Sequence, residues 1–186
     1  MGATIPEGRL FLSTMHSEGL AGKTETFARY GFTRRFEAGF GYLWKQGIVR
    51  PLAGYTLVTE KAPRPALTGG LMYDSLGGGR QGAFLSLSRG FEKTPLGVPV
   101  SLYAGGARIS GEGGVRFIAG FNVPVTGWLT ASLQYDGRYP NFGVTARVGS
   151  IHGSDVRLGV VAAEGDKPGP IIAVAIPLGH RTRSGR

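Results

Sequence analysis

Two distant stretches of the chain share one pattern, and it restricts the fold more than any other feature. Thr33, Phe36, Ala38, Phe40 and Tyr42 keep the same spacing as Thr126, Leu129, Ala131, Leu133 and Tyr135. Both read T-x-x-Φ-x-A-x-Φ-x-Y, where Φ is a large apolar residue. Each opens at a turn and continues with apolar residues on strictly alternate positions. A period of two gives a strand with one wet face and one apolar face.

The same alternation recurs along the whole chain, and turn signals arrive every ~12–18 residues, the rhythm of a hairpin meander. The pattern predicts about twelve strands: 9–15, 25–32, 36–45, 48–58, 66–73, 82–89, 98–109, 115–123, 129–136, 141–149, 155–163 and 171–178. Most are close to the ~9–11 residues a tilted strand needs to cross a bilayer. The expected fold is therefore all-β, an antiparallel up-and-down transmembrane β-barrel with short turns and loops. Residues 9–178 would form the barrel, 1–8 a lead segment and 179–186 a basic tail. No domain boundary or linker interrupts them.

Alternation alone does not say which face points out, because a soluble barrel shows the same period with its apolar side inside. The character of the polar face favours apolar-out. It is mainly Gly, Ser, Thr and Asn with isolated Arg, whereas a soluble exterior is dense in Lys, Glu and Asp. The charged fraction of 18% is below the ~25% of ordinary soluble domains. Tyr30, Phe32, Phe36, Tyr42, Trp44 and Tyr135 fall near strand ends, where aromatic girdles of membrane barrels sit. No apolar run reaches the ~18 residues of a membrane helix, so any membrane role falls to strands. With both termini periplasmic, the turns at 32–36, 60–65, 92–96, 124–128 and 150–154 share that side. The loops at 16–23, 45–47, 74–80, 110–114, 137–140 and 164–169 face outward, and none is long enough for a plug domain. A secretory leader with an apolar run is not visible at 1–6, which leaves open a soluble barrel that binds an apolar ligand inside.

The net charge of +9 raises nucleic acid as a partner. The basic residues, however, stand singly along strands or at turns, with one loose cluster at His180, Arg181 and Arg183. Lipid or an anionic polysaccharide fits that scatter better than a nucleic acid. Zero Cys excludes disulfides and thiolate metal sites. His16, His152 and His180 are too scattered for a triad or a metal pair, and read as solvated side chains. The glycines at 77–79 lack the Lys-Ser/Thr of a P-loop and read as a turn. Gly105, Gly106, Gly111, Gly113 and Gly114 read as turn or close-packing residues. No cofactor, metal or enzymatic activity is expected.

The charges of the polar face are the candidate site. Arg29, Arg50, Arg116, Arg147 and Arg157, with Glu37, Asp74, Asp136, Asp155 and the amide Gln134, should line the lumen. They would form either a structural ion-pair network in a filled barrel or an Arg-lined passage for small anions or sugars.

Two hairpins resemble known sequences. Residues 30–39 resemble the "Y-G-hydrophobe-T-x-R-hydrophobe-E-hydrophobe-G" hairpin of Gram-negative outer-membrane barrels. Residues 133–137 followed by 141–144 resemble the "E-Y-D-G … N-hydrophobe-G" hairpin of YjbH-like proteins, exopolysaccharide-associated barrels of the outer membrane. With the intervening strands the resemblance spans roughly 26–178. It implies an outer-membrane address, outer-membrane lipid and lipopolysaccharide as surroundings, and a structural or accessory role beside surface-polysaccharide secretion components. The chain departs from the usual pattern in ending on an Arg-rich tail rather than a terminal aromatic.

Overall fold

A computed structural model of the chain describes residues 5–16, 24–74, 79–92, 94, 97–151, 154–163 and 169–177. The expected C-terminal tail, His152 and His180 lie outside them, as does most of the first loop. Twelve strands form: β1 (Arg9–His16), β2 (Thr24–Gly31), β3 (Phe36–Leu43), β4 (Ile48–Val58), β5 (Ala66–Asp74), β6 (Arg80–Phe91), β7 (Val100–Ile109), β8 (Arg116–Pro124), β9 (Leu129–Tyr135), β10 (Pro140–Ile151), β11 (Ser154–Ala163) and β12 (Gly169–Pro177). Each pairs antiparallel with its sequence neighbour, and β1 pairs with β12 from Arg9↔Pro177 to Met15↔Ile171. That pairing closes the barrel and leaves no sheet edge. The boundaries differ from the expected ones mainly at β6 and β10. β6 begins two residues earlier, at Arg80, because Arg80 pairs with Asp74. β10 runs on to Ile151 through an irregularity after Arg147.

The repeated motif is explained at its turns. The Thr33 hydroxyl accepts the amides of Arg35 and Phe36 at 3.2 and 3.0 Å. The Thr126 hydroxyl accepts those of Trp128 and Leu129 at 3.3 and 3.0 Å. Each Thr thus closes the turn that starts its strand, a role suited to a short hydroxyl side chain.

The barrel is inside-out relative to a soluble protein. Phe40 is 49% exposed and Phe117 59%, and Leu85, Leu87, Leu102, Phe142, Val144, Leu158 and Val160 share the outer face. Glu25 is completely buried, with Glu37, Thr56, Thr68, Ser86 and Arg116 also buried. Aromatic residues gather at both rims: Tyr30 and Phe36 each meet Phe32 at one end, and Tyr42 meets Trp44 at the other. The inner wall is not wholly polar. Met72, Ala107 and Ile118 form an apolar cluster with Phe84 packed on it, so the β5–β8 side is filled.

Curvature depends on inward glycines. A Cβ built on Gly39 would land on the Ala28 carbonyl oxygen, and one on Gly105 on that of Leu85. The neighbouring strand has taken the space a side chain would need, which only glycine permits.

Short segments reach into both barrel ends. Ile5 is buried, and the Pro6 and Ile5 carbonyls fill the place where a Gly31 side chain would sit. At the opposite end β5 turns inward, so that Tyr73 is buried over Gly41 and its hydroxyl donates to Glu25 at 3.3 Å.

Candidate functional site in the barrel lumen

Register places the candidate residues. Glu37 lies opposite Gly31 and Gly54, and Arg29 opposite Phe11 and Gly39, all on the inner face. The Arg29 guanidinium donates to the Glu37 carboxylate at 3.0 Å and lies over the rings of Phe11 and Phe27, 5.9 and 5.7 Å from their centroids. The second Glu37 oxygen accepts the Ile5 amide at 2.5 Å. A buried carboxylate needs such partners, because burial without them is costly. This pair is structural: it fastens the entering N-terminal segment to the wall.

Arg50 donates to the Gly79 carbonyl, which draws the start of β6 toward the lumen. Arg116 belongs to a cluster at the same end, centred on Glu112 between the turn glycines Gly111 and Gly113. Glu112, between β7 and β8, accepts from Arg116, from Arg80 at 2.7 Å and from Arg138. One carboxylate therefore ties three hairpin ends together. Hydrogen bonding from Arg116, then from Arg80, with the charges of Arg116 and Arg138, holds its carboxyl down to about 2 against the opposing effect of burial. Neither Glu112 nor Arg138 was singled out from the sequence. The Gly-Glu-Gly-Gly turn hid the first, and its three partners are remote in the chain.

Asp136 lies at the mouth of the lumen beside Tyr103 and Gln134 and also has a turn role. It accepts the amides of Arg138 and Tyr139 at 2.8 Å each and so shapes the β9–β10 turn. The Asp74 side chain lies outside the described residues, although its backbone pairs with Arg80. Gln134 faces Gly120 and Asn141 on the inner wall.

The β9–β11 side differs from the filled half. Arg147 stands directly opposite Arg157. Arg147 bonds Asp155 at 3.1 Å, with the two side chains 48% and 39% exposed. Arg157 donates to the Thr130 hydroxyl at 3.1 Å and, among the described residues, has no carboxylate partner. The candidate residues thus separate into a fastening pair, a loop clamp and an arginine-bearing wall. His16, the one histidine described, has its Nδ1 2.8 Å from the Thr24 hydroxyl at the strand end.

Neither the family models nor the curated proteins compared with this sequence match it.

Proposed function

We propose that this chain is an integral β-barrel of a bacterial outer membrane, without enzymatic activity, serving a structural or accessory role in surface-polysaccharide secretion. One contrast carries the membrane part: Phe117 is 59% exposed on the outer wall while Glu25 is wholly buried inside. In water such an outer face would be a large contiguous apolar surface, which soluble monomers rarely present. Against hydrocarbon it is the favourable arrangement, and a closed ladder satisfies the backbone there. The rim aromatics fit the headgroup region. The polysaccharide role rests on the YjbH-like hairpin of residues 133–144. Lipid and lipopolysaccharide would be its surroundings, with secretion components or an anionic polysaccharide as partners. Flotation with liposomes and heat-modifiable gel migration test the proposal. A protein that remains monomeric and soluble without detergent would end it, and would revive a soluble barrel.

A second reading, a passive pore for small anions or sugars, is favoured by the half-exposed Arg147 and by Arg157, which has no carboxylate partner among the described residues. Charged linings of this kind set selectivity in pores. Planar-bilayer conductance distinguishes it: folded protein that carries no current would leave only the structural role.

A further inference from the structure

We propose that the β8–β11 wall of the lumen is a binding track for an acidic saccharide, with Arg157 and Arg147 receiving its carboxylate. The inference rests on the membrane-barrel reading and goes beyond it by naming a site and a ligand class.

The argument begins with a cost. Two arginines directly opposite each other in a β-ladder repel, yet register sets Arg147 against Arg157 on the inner face. Asp155 compensates Arg147. Arg157 is held by a neutral hydroxyl, that of Thr130. A guanidinium oriented by one neutral bond keeps other donors available, and its planar fork matches a carboxylate.

What lies beside the pair defines the rest of the ligand. Asn122 faces Ser132, Gln134 faces Asn141, and Thr130 faces Thr145, so the inner wall from β8 to β10 carries neutral hydroxyls and amides. These groups donate and accept, as sugar hydroxyls require, and offer little to an apolar or purely inorganic ligand. Gly143 and Gly159 bring the strands together here: a Cβ at the first would meet the Ser132 hydroxyl, and one at the second the Val144 carbonyl and Thr145. Beside the strip, Met72, Phe84 and Ile118 pack the interior from β5 to β8, and the hydroxyls of Thr56, Thr68 and Ser86 are buried rather than open to a ligand. Cation at one end and hydroxyl-binding groups along the rest fit a uronic acid oligomer better than a neutral glycan or a free anion.

The test is calorimetric titration of the full chain, folded in detergent micelles, with trigalacturonate, maltotriose and sodium phosphate as separate probes. The expected result is measurable affinity for trigalacturonate and at least tenfold weaker binding of the other two. The double variant Arg147→Gln, Arg157→Gln should lose about tenfold or more in that affinity. Heat-modifiable migration serves as the folding control. If the double variant does not fold, Arg157→Lys, which keeps the charge but not the fork, should weaken binding severalfold. Equal affinity for maltotriose, phosphate binding as tight as that of trigalacturonate, no binding of trigalacturonate, or an affinity unchanged by loss of the arginines would each overturn the site. Binding is read without conductance or insertion. Its failure therefore does not count against the membrane reading, and a chain soluble without detergent can be titrated in buffer.

Discussion

The Arg29 guanidinium lies 3.0 Å from the Glu37 carboxylate inside the barrel wall, and the free oxygen of that carboxylate holds the Ile5 amide. Removing Glu37 leaves the part-buried Arg29 without its counter-ion and the Ile5 amide without its acceptor. Glu37→Ala should therefore cost about 1.5–3 kcal/mol in a urea unfolding series. Replacing both residues by Met should cost much less, because no charge is stranded. The same Glu37 variant should raise hydrogen exchange at Ile5, which a purely local defect in β3 would not do.

Glu112 gives a pH signature with a definite sign. Its folded carboxyl titrates near 2, below the ordinary 4.5. The fold therefore favours the carboxylate, and its stabilising effect is complete above about pH 4.5. That effect fades as pH falls through the range toward 2, where the folded group takes up its proton. Hydrogen exchange at the loops carrying Glu112 and Arg138 should stay flat from pH 8 to 5, after correction for intrinsic rates, and rise below that. Glu112→Gln should show the raised exchange at every pH.

Gly39 and Gly113 make a matched pair of probes. A Cβ at Gly39 meets the Ala28 backbone, whereas one at Gly113 meets nothing within 4 Å. Gly39→Ala should destabilise the barrel by at least ~1–3 kcal/mol through forced backbone shifts. Gly113→Ala should leave the unfolding midpoint unchanged.

Thr33 and Thr126 should behave alike despite their distance in sequence. Each hydroxyl accepts two turn amides. Thr→Val at either site should cost ~1 kcal/mol, and the effects should add, since the two turns share no partner. Thermal denaturation in detergent of both single variants and the double variant would measure this.

Much of the architecture was legible in the sequence because the side-chain period of a strand is local. Phe36, Ala38, Phe40 and Tyr42 declare their common face without knowledge of any neighbour. The inward placement of Arg29, Arg50, Arg116, Arg147 and Arg157 followed from the same parity. What the sequence concealed depends on contacts across the barrel. Glu112 reads as a turn residue until Arg80, Arg116 and Arg138 converge on it. Asp136 reads as a lumen charge, and its second role in the turn shows only once its amide partners are seen. Tyr73 should point outward by alternation, but β5 bends at its end and carries the ring inside. Ile5 precedes the first strand, and only the Glu37 carboxylate reveals why it is buried.

The central claim, that the Phe and Leu side of each strand meets hydrocarbon, has a direct test. The chain contains no Cys, so single cysteines carrying a fluorophore can be placed at Phe40, Phe117 and Leu158 on the outer face, and at Thr130 and Ser132 on the inner one. In proteoliposomes, lipid-borne quenchers should strongly quench the first three labels and spare the last two. Equal quenching on both faces, or strong quenching of the outer three by a water-soluble quencher alone, would contradict the account.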